Sequence, residues 1–157
     1  MVMTIVKFVH LMSLVVWVGG IIFFSFLGAP SIFKILDREL AGDVVGDIFP
    51  KYWMMGYICS PIALGTLIFL AKTSATSAGI RIILLSVMLV AMFYSGFGIG
   101  AKAKKIKTEM RATEDVAQKE LMRKHFGKIH GISMMVNLTI LLLGIAVIFI
   151  TAYHIKM

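Results

Sequence analysis

Four apolar runs, at about residues 2–27, 52–71, 80–101 and 129–153, dominate the pattern of the chain. Each reaches the roughly 20 residues that cross a bilayer as a helix. The first run holds only Lys7 and His10 as ionisable side chains. Polar stretches separate the runs. Residues 31–49, after Ala29-Pro30, repeat Ile32, Leu36, Leu40, Val44 and Ile48 at four-residue spacing, the apolar stripe of a helix lying on the membrane surface or on the bundle. Gly42 and Gly46 weaken that helix. Residues 102–128 are rich in Lys, Glu, Ala, Met and Arg, all helix formers, and predict a helix that continues span three beyond the membrane. No stretch reads as a strand. The expected fold is all-α: an integral membrane four-helix bundle, one domain over residues 1–157, with an interfacial amphipathic helix between spans one and two. The first run is too long for a signal peptide, and Pro30 follows the small pair at its end, Gly28-Ala29, so it is expected to stay in the mature protein.

Composition sharpens this picture. Of 157 residues, 59% are hydrophobic and 15% charged, which excludes an ordinary soluble domain. A single cysteine and the absence of low-complexity blocks exclude a disulfide framework and a disordered chain. The net charge of +8 would suggest nucleic acid in a soluble protein; in a membrane chain it sets topology and meets anionic lipid headgroups, and no nucleic acid is expected. Twelve Lys and Arg fall on the side of residues 31–51 and 102–128, against Lys7, Lys72, Arg81 and Lys156 on the other. The bias predicts both termini outside and segments 31–49 and 102–128 cytoplasmic, in a bacterial inner membrane. Glu39, Asp43 and Asp47 fall at i, i+4 and i+8 and align on a helix. They form either a solvated acidic edge facing the basic third loop or a hard-metal site.

Polar side chains inside a span are expensive in hydrocarbon, so each is a candidate for function. On span one His10, Ser13, Trp17 and Gly28 share a face; on span four His130, Ser133, Asn137 and Gly144 do the same. Such faces also serve as plain interhelical hydrogen-bonding seams. The spans are antiparallel, and at about 1.5 Å per residue His10 and His130 lie about 24 Å apart in depth, too far to share an ion. His10, with Ser13 and Trp17 beside it, is therefore the candidate cofactor ligand, paired with His154 or with its own copy across a two-fold axis. His130, Ser133 and Asn137 are expected to lock span four to the segment entering span two near Pro50. His125 and His130, five apart, point about 140° from each other on one helix. The methionines, with Cys59, allow a soft-metal reading such as Cu(I), and equally a core-filling one. Pro61 is expected to kink span two, and the Gly96/Gly100 pair to permit close approach by span three. No catalytic triad, CxxC, HExxH or phosphate loop occurs.

The stretch Val6-Lys7-Phe8-Val9-His10 through Gly19, Pro30, Phe33, Ala41-Gly42 and Phe49-Pro50-Lys51-Tyr52, with Phe126-Gly127-Lys128-Ile129-His130-Gly131-Ile132-Ser133 and Asn137, resembles the transmembrane protein 205 family, whose bacterial members form a domain family of unknown function. The spacing of His10, Trp17 and Gly19-Gly20 is similar to the opening of CopD-type copper-resistance domains and HemJ-type protoporphyrinogen oxidases; the later spans show no match to those two. The first resemblance implies a transport or trafficking role, and the others haem b, with copper as second choice, at His10. The leading expectation is a membrane binding protein using His10 for haem b or metal. The alternative is a transporter or structural subunit with a basic cytoplasmic face, as a homo-oligomer or within a larger membrane complex. An enzyme acting on a porphyrin is third.

Overall fold

A computed structural model describes residues 1–73 and 78–154, the side chain of His154 excepted. Four helices are long and apolar enough to cross a membrane: Val2–Ile35, Arg38–Thr73, Gly79–Ala112 and Val116–Tyr153. The first comprises α1 (Val2–Phe23), a π turn (Phe24–Gly28) and α2 (Ala29–Ile35); the second is α3 (Arg38–Thr73). The third comprises α4 (Gly79–Phe93), a second π turn (Tyr94–Gly100) and α5 (Ala101–Ala112); the fourth is α6 (Val116–His154). No strand occurs among the described residues.

The principal packings are α1 on α3, α3 on α4 and α4 on α6, with α6 returning to α1, so the spans form a ring in chain order. Helices of 34 to 38 residues are about 50 Å long or more, well beyond an apolar layer of about 30 Å. The excess lies at one end, because all eight acidic residues fall between Asp37 and Glu120. This charged end carries two helical hairpins. At the other end lie the N-terminus, the end of α3, the start of α4 and the end of α6.

The expected interfacial helix over residues 31–49 is not a separate element. Its first part continues span one and its second opens span two, parted where Leu36 turns extended and the Ala41 N–H bonds to the Asp37 carbonyl at 2.8 Å. Pro30 does not stop span one, since it sits in the first turn of α2, where a missing N–H is tolerated. Just before it the Ala29 N–H reaches back five residues to the Phe24 carbonyl, which widens the helix. The buried line of early α3 is Ala41, Val45 and Tyr52, while Leu40 is exposed. The stripe therefore lies one residue away from the expected one. Segment 102–128 is likewise divided. Span three continues to Ala112, Thr113 turns extended, and Asp115 accepts the Ala117 N–H at 2.8 Å to cap α6. α3 runs unbroken through Pro50 and Pro61.

Three methionines fill gaps above glycines of neighbouring helices. A Cβ at Gly20 would collide with Met55, at Gly56 with Met92, and at Gly144 with Val18 and Met88. Gly96 and Gly100 make room for side chains rather than for backbone contact, since a Cβ there would strike Tyr57 and Trp53. Along α6 the buried or half-buried positions Lys119, Met122, Phe126, Ile129, Ser133, Val136, Ile140, Leu143 and Val147 alternate three and four apart, the seven-residue repeat of a left-handed bundle. Outward-facing Val15, Val90, Phe97, Leu142 and Phe149 are exposed and would meet lipid.

Candidate functional site

His10 is 3% exposed and lies against α3. Its Nδ1 is 3.0 Å from the Ala63 carbonyl and 3.1 Å from Thr66 Oγ1. A carbonyl only accepts, so Nδ1 carries the hydrogen and Nε2 carries the lone pair. Thr66 fits this tautomer because its own hydroxyl is donated to the Ile62 carbonyl at 2.6 Å. Nε2 is buried and has no partner among the described residues. Ser13 Oγ donates to the His10 carbonyl at 2.8 Å, and Trp17 is wholly buried with its indole N–H unpartnered.

Helix register brings further polar groups to this depth. Gly144 of α6 faces Val18 of α1 and Met88 of α4. Two turns from that contact toward the terminus end lie Leu11, Arg81 and Thr151, each seven residues away along its own helix. Arg81 and Thr151 are 7% and 8% exposed, and Arg81 is close enough to His10 to interact electrostatically. Ser60, one turn deeper than Ala63 on α3, is fully buried. Ser60 Oγ and Thr151 Oγ1 also lack a protein partner. All four spans thus contribute a buried polar side chain to one half of the bundle.

The sequence found His10, Ser13 and Trp17 here but not Ser60, Thr66, Arg81 or Thr151. Arg81 counted as a topology charge, yet it starts the buried line Arg81, Leu85, Met88, Met92, and that spacing was the available signal. His154 closes α6, and the expectation that it pairs with His10 falls on a side chain outside the described residues.

The span-four group separates. Asn137 Oδ1 accepts the Tyr52 hydroxyl at 2.5 Å and its Nδ2 donates to Ser25 Oγ at 3.2 Å, tying α6 to α3 and to the first π turn. His130 is exposed and lies against the Phe126 ring, 6.4 Å between centroids, and Ser133 makes no side-chain hydrogen bond among the described residues. His130 occupies the line of α6 that faces α1, but at its level α1 has given way to α2, which packs on α3 and makes little contact with α6. From Thr151 to His130 is about 30 Å along α6, so the two histidines do not share a site.

At the charged end Asp43 bonds to Lys107 at 2.7 Å and to Arg111, and Lys107 also donates to the Gly42 carbonyl at 2.9 Å. The Lys107 hydrogen bond, first against desolvation and then with the charges of Lys107 and Arg111 and the Arg111 hydrogen bond added, holds the Asp43 carboxyl below the usual carboxylate range. Asp47 pairs along its own helix with Lys51 at 2.5 Å. Of the aligned carboxylates Asp43 alone meets the basic segment, Asp47 pairs within α3 and Glu39 forms no ion pair among the described residues; no metal-binding group of three or more His, Cys, Asp or Glu occurs among them. Two hollows open at this end, one along Ala101 to Glu109 and one between Tyr94, Lys102 and His125; neither reaches His10.

These features define a helical membrane protein, a four-span bundle with a polar layer near one end and ion-paired helical hairpins at the other. Its residues 12–112 match a domain of unknown function, DUF4149, and the chain belongs to that family. It is also 34% identical over 134 residues, 83% of this chain and 85% of the relative, to a protein of Aquifex aeolicus (strain VF5) described as uncharacterized. No solved structure matches the chain. The kinship found is thus with a bacterial domain of unknown function, as the broader resemblance implied; the narrower likeness to transmembrane protein 205, CopD-type and HemJ-type proteins finds no support in it.

Proposed function

We propose that the chain is a membrane binding protein that holds a small neutral polar ligand in the terminus half of the bundle, with His10 Nε2 accepting a hydrogen bond from it. One observation carries the reading: His10 Nε2, Trp17 Nε1, Ser60 Oγ and Thr151 Oγ1 are buried without partners among the described residues in the same half of an apolar bundle. Buried polar groups are almost always hydrogen-bonded, and leaving one unmet costs about 1–3 kcal/mol. The set offers one acceptor at His10, one donor at Trp17 and two hydroxyls able to do either, and Arg81 adds positive charge that disfavours a cation.

Haem b suits the chemistry of His10, whose Nδ1–H on a carbonyl leaves Nε2 free to ligate. The space does not suit it. Leu14, Trp17, Ile21, Leu85 and Met88 are fully buried, and even a Cβ at Gly144 would stand 2.7 Å from Val18. Copper is equally poorly served, because Met55, Met88 and Met92 sit as packing against glycines. In this reading the charged end faces the cytoplasm of a bacterial inner membrane. Arg81 is buried in the bundle, so it leaves the loop count and the Lys/Arg bias becomes twelve to three.

Formamide, a small neutral molecule whose N–H can donate to Nε2 and whose oxygen can accept, is the test probe. In nanodiscs, saturation transfer from the wild-type protein to formamide is expected, reduced about tenfold in His10→Ala, with a colourless preparation. Equal transfer in both proteins, or a Soret band lost in His10→Ala, would overturn the proposal. A cysteine at Lys105 that reacts from outside intact cells would overturn the orientation.

A further inference from the structure

We propose that the hollow between α5 and α6, where they leave the membrane at the charged end, binds the phosphate headgroup of an anionic phospholipid. The hollow encloses about 240 Å³ and is lined by Tyr94, Ile99, Lys102, His125, Ile129 and Ile132. Its chemistry is graded with depth. Ile99, Ile129 and Ile132 form apolar walls on the membrane side, whereas Lys102 in the first turn of α5 and His125 on α6 stand toward the water. Such a pairing of a cationic rim with an apolar wall matches a phosphate joined to acyl chains.

Three further observations point to a lipid. Lys102 and His125 form no ion pair or hydrogen bond among the described residues, whereas Lys105, Lys107, Arg111 and Arg123 are each paired with a carboxylate. Lys102, the charged group at the hollow, is thus available to an anion, as Lys104, Lys119, Lys124 and Lys128 are elsewhere at this end. Tyr94 and Ile132 are more than half exposed, so the hollow opens sideways toward the bilayer, and an occupant with acyl chains enters from there. Tyr94 and Ile99 also belong to the second π turn, and such turns reshape a helix surface in a way often found at binding sites. A tyrosine with an apolar ring and a polar tip suits the headgroup level, and a basic group near an anionic lipid surface is worth about a fivefold change in partitioning.

The test is native mass spectrometry of the full chain released from detergent after incubation with phosphatidylglycerol or phosphatidylcholine. Wild type is expected to retain phosphatidylglycerol preferentially, and millimolar inorganic phosphate is expected not to displace it. Lys102→Ala should lower the phosphatidylglycerol-bound fraction about fivefold, His125→Ala should lower it less, and Lys102→Arg should restore it. Lys124→Ala, an equal charge change on α6 outside the hollow, should leave it unaltered. Both lining side chains are exposed, so a melting temperature equal to wild type checks that each variant is folded. Equal retention of the two lipids, an equal loss in Lys124→Ala, or displacement by inorganic phosphate would overturn the assignment, the last by making the site one for free phosphate.

Discussion

Asn137 and His10 are both polar side chains on inward faces of membrane helices, and the bundle treats them differently. Asn137 has both ends of its amide engaged, by Tyr52 and Ser25, in a layer where Phe24, Phe49, Tyr52 and Trp53 pack ring against ring. His10 has one nitrogen engaged and the other buried without a partner, as are Trp17, Ser60 and Thr151. A closed hydrogen-bond set rigidifies three helices and asks for nothing more. An open set in the same low-dielectric surroundings is costly unless something else completes it. The first therefore reads as architecture and the second as a site.

The largest test of this contrast is at Trp17. Trp17→Ala should lower the unfolding free energy in a detergent titration by about 3–5 kcal/mol, the usual cost of emptying an aromatic core position. Trp17→Phe, which keeps an aromatic ring and deletes the unpartnered N–H, should cost less than about 1.5 kcal/mol and weaken formamide binding. A large loss from Trp17→Phe would mean that the N–H is already satisfied, and the contrast would fail.

Next comes the closed set. Asn137→Ala should cost about 1–2 kcal/mol by leaving Tyr52 and Ser25 without their partner. Tyr52→Phe in the same background should add little, because the bond is already gone. Full additivity of the two substitutions would show that the amide and the phenol are not coupled. His130→Ala should change stability by less than about 0.5 kcal/mol, as exposed positions do. A loss as large as that of Asn137→Ala would return His130 to the lock.

The smallest effect at neutral pH belongs to Asp43→Asn. Because the folded protein holds the Asp43 carboxyl below its unfolded value, the link between the two hairpins is fully present above the ordinary carboxylate range and is lost as pH falls through the lowered value. Wild type should therefore show an acid-dependent loss of melting temperature that Asp43→Asn lacks; parallel pH profiles would exclude this pair as its source.

Several structural features could be read from the chain, and the places where reading failed share a cause. The sequence determined the four spans, their charged end and the all-α fold, because hydropathy and charge are summed along a single helix and need no knowledge of its neighbours. It also singled out His10, whose cost in hydrocarbon is evident wherever it points. It placed His130 beside Asn137 because both fall on one line of α6, yet only the tertiary structure decides whether a line has something to face. Asn137 meets the first π turn, while His130 lies level with α2, which has moved onto α3. In the same way Arg81 changed from a loop charge to part of a buried layer once Met88 and Gly144 set the register between α4, α6 and α1. Composition fixes what each helix is; which of its polar side chains meet, and which are left without a partner, depends on where the other three helices run.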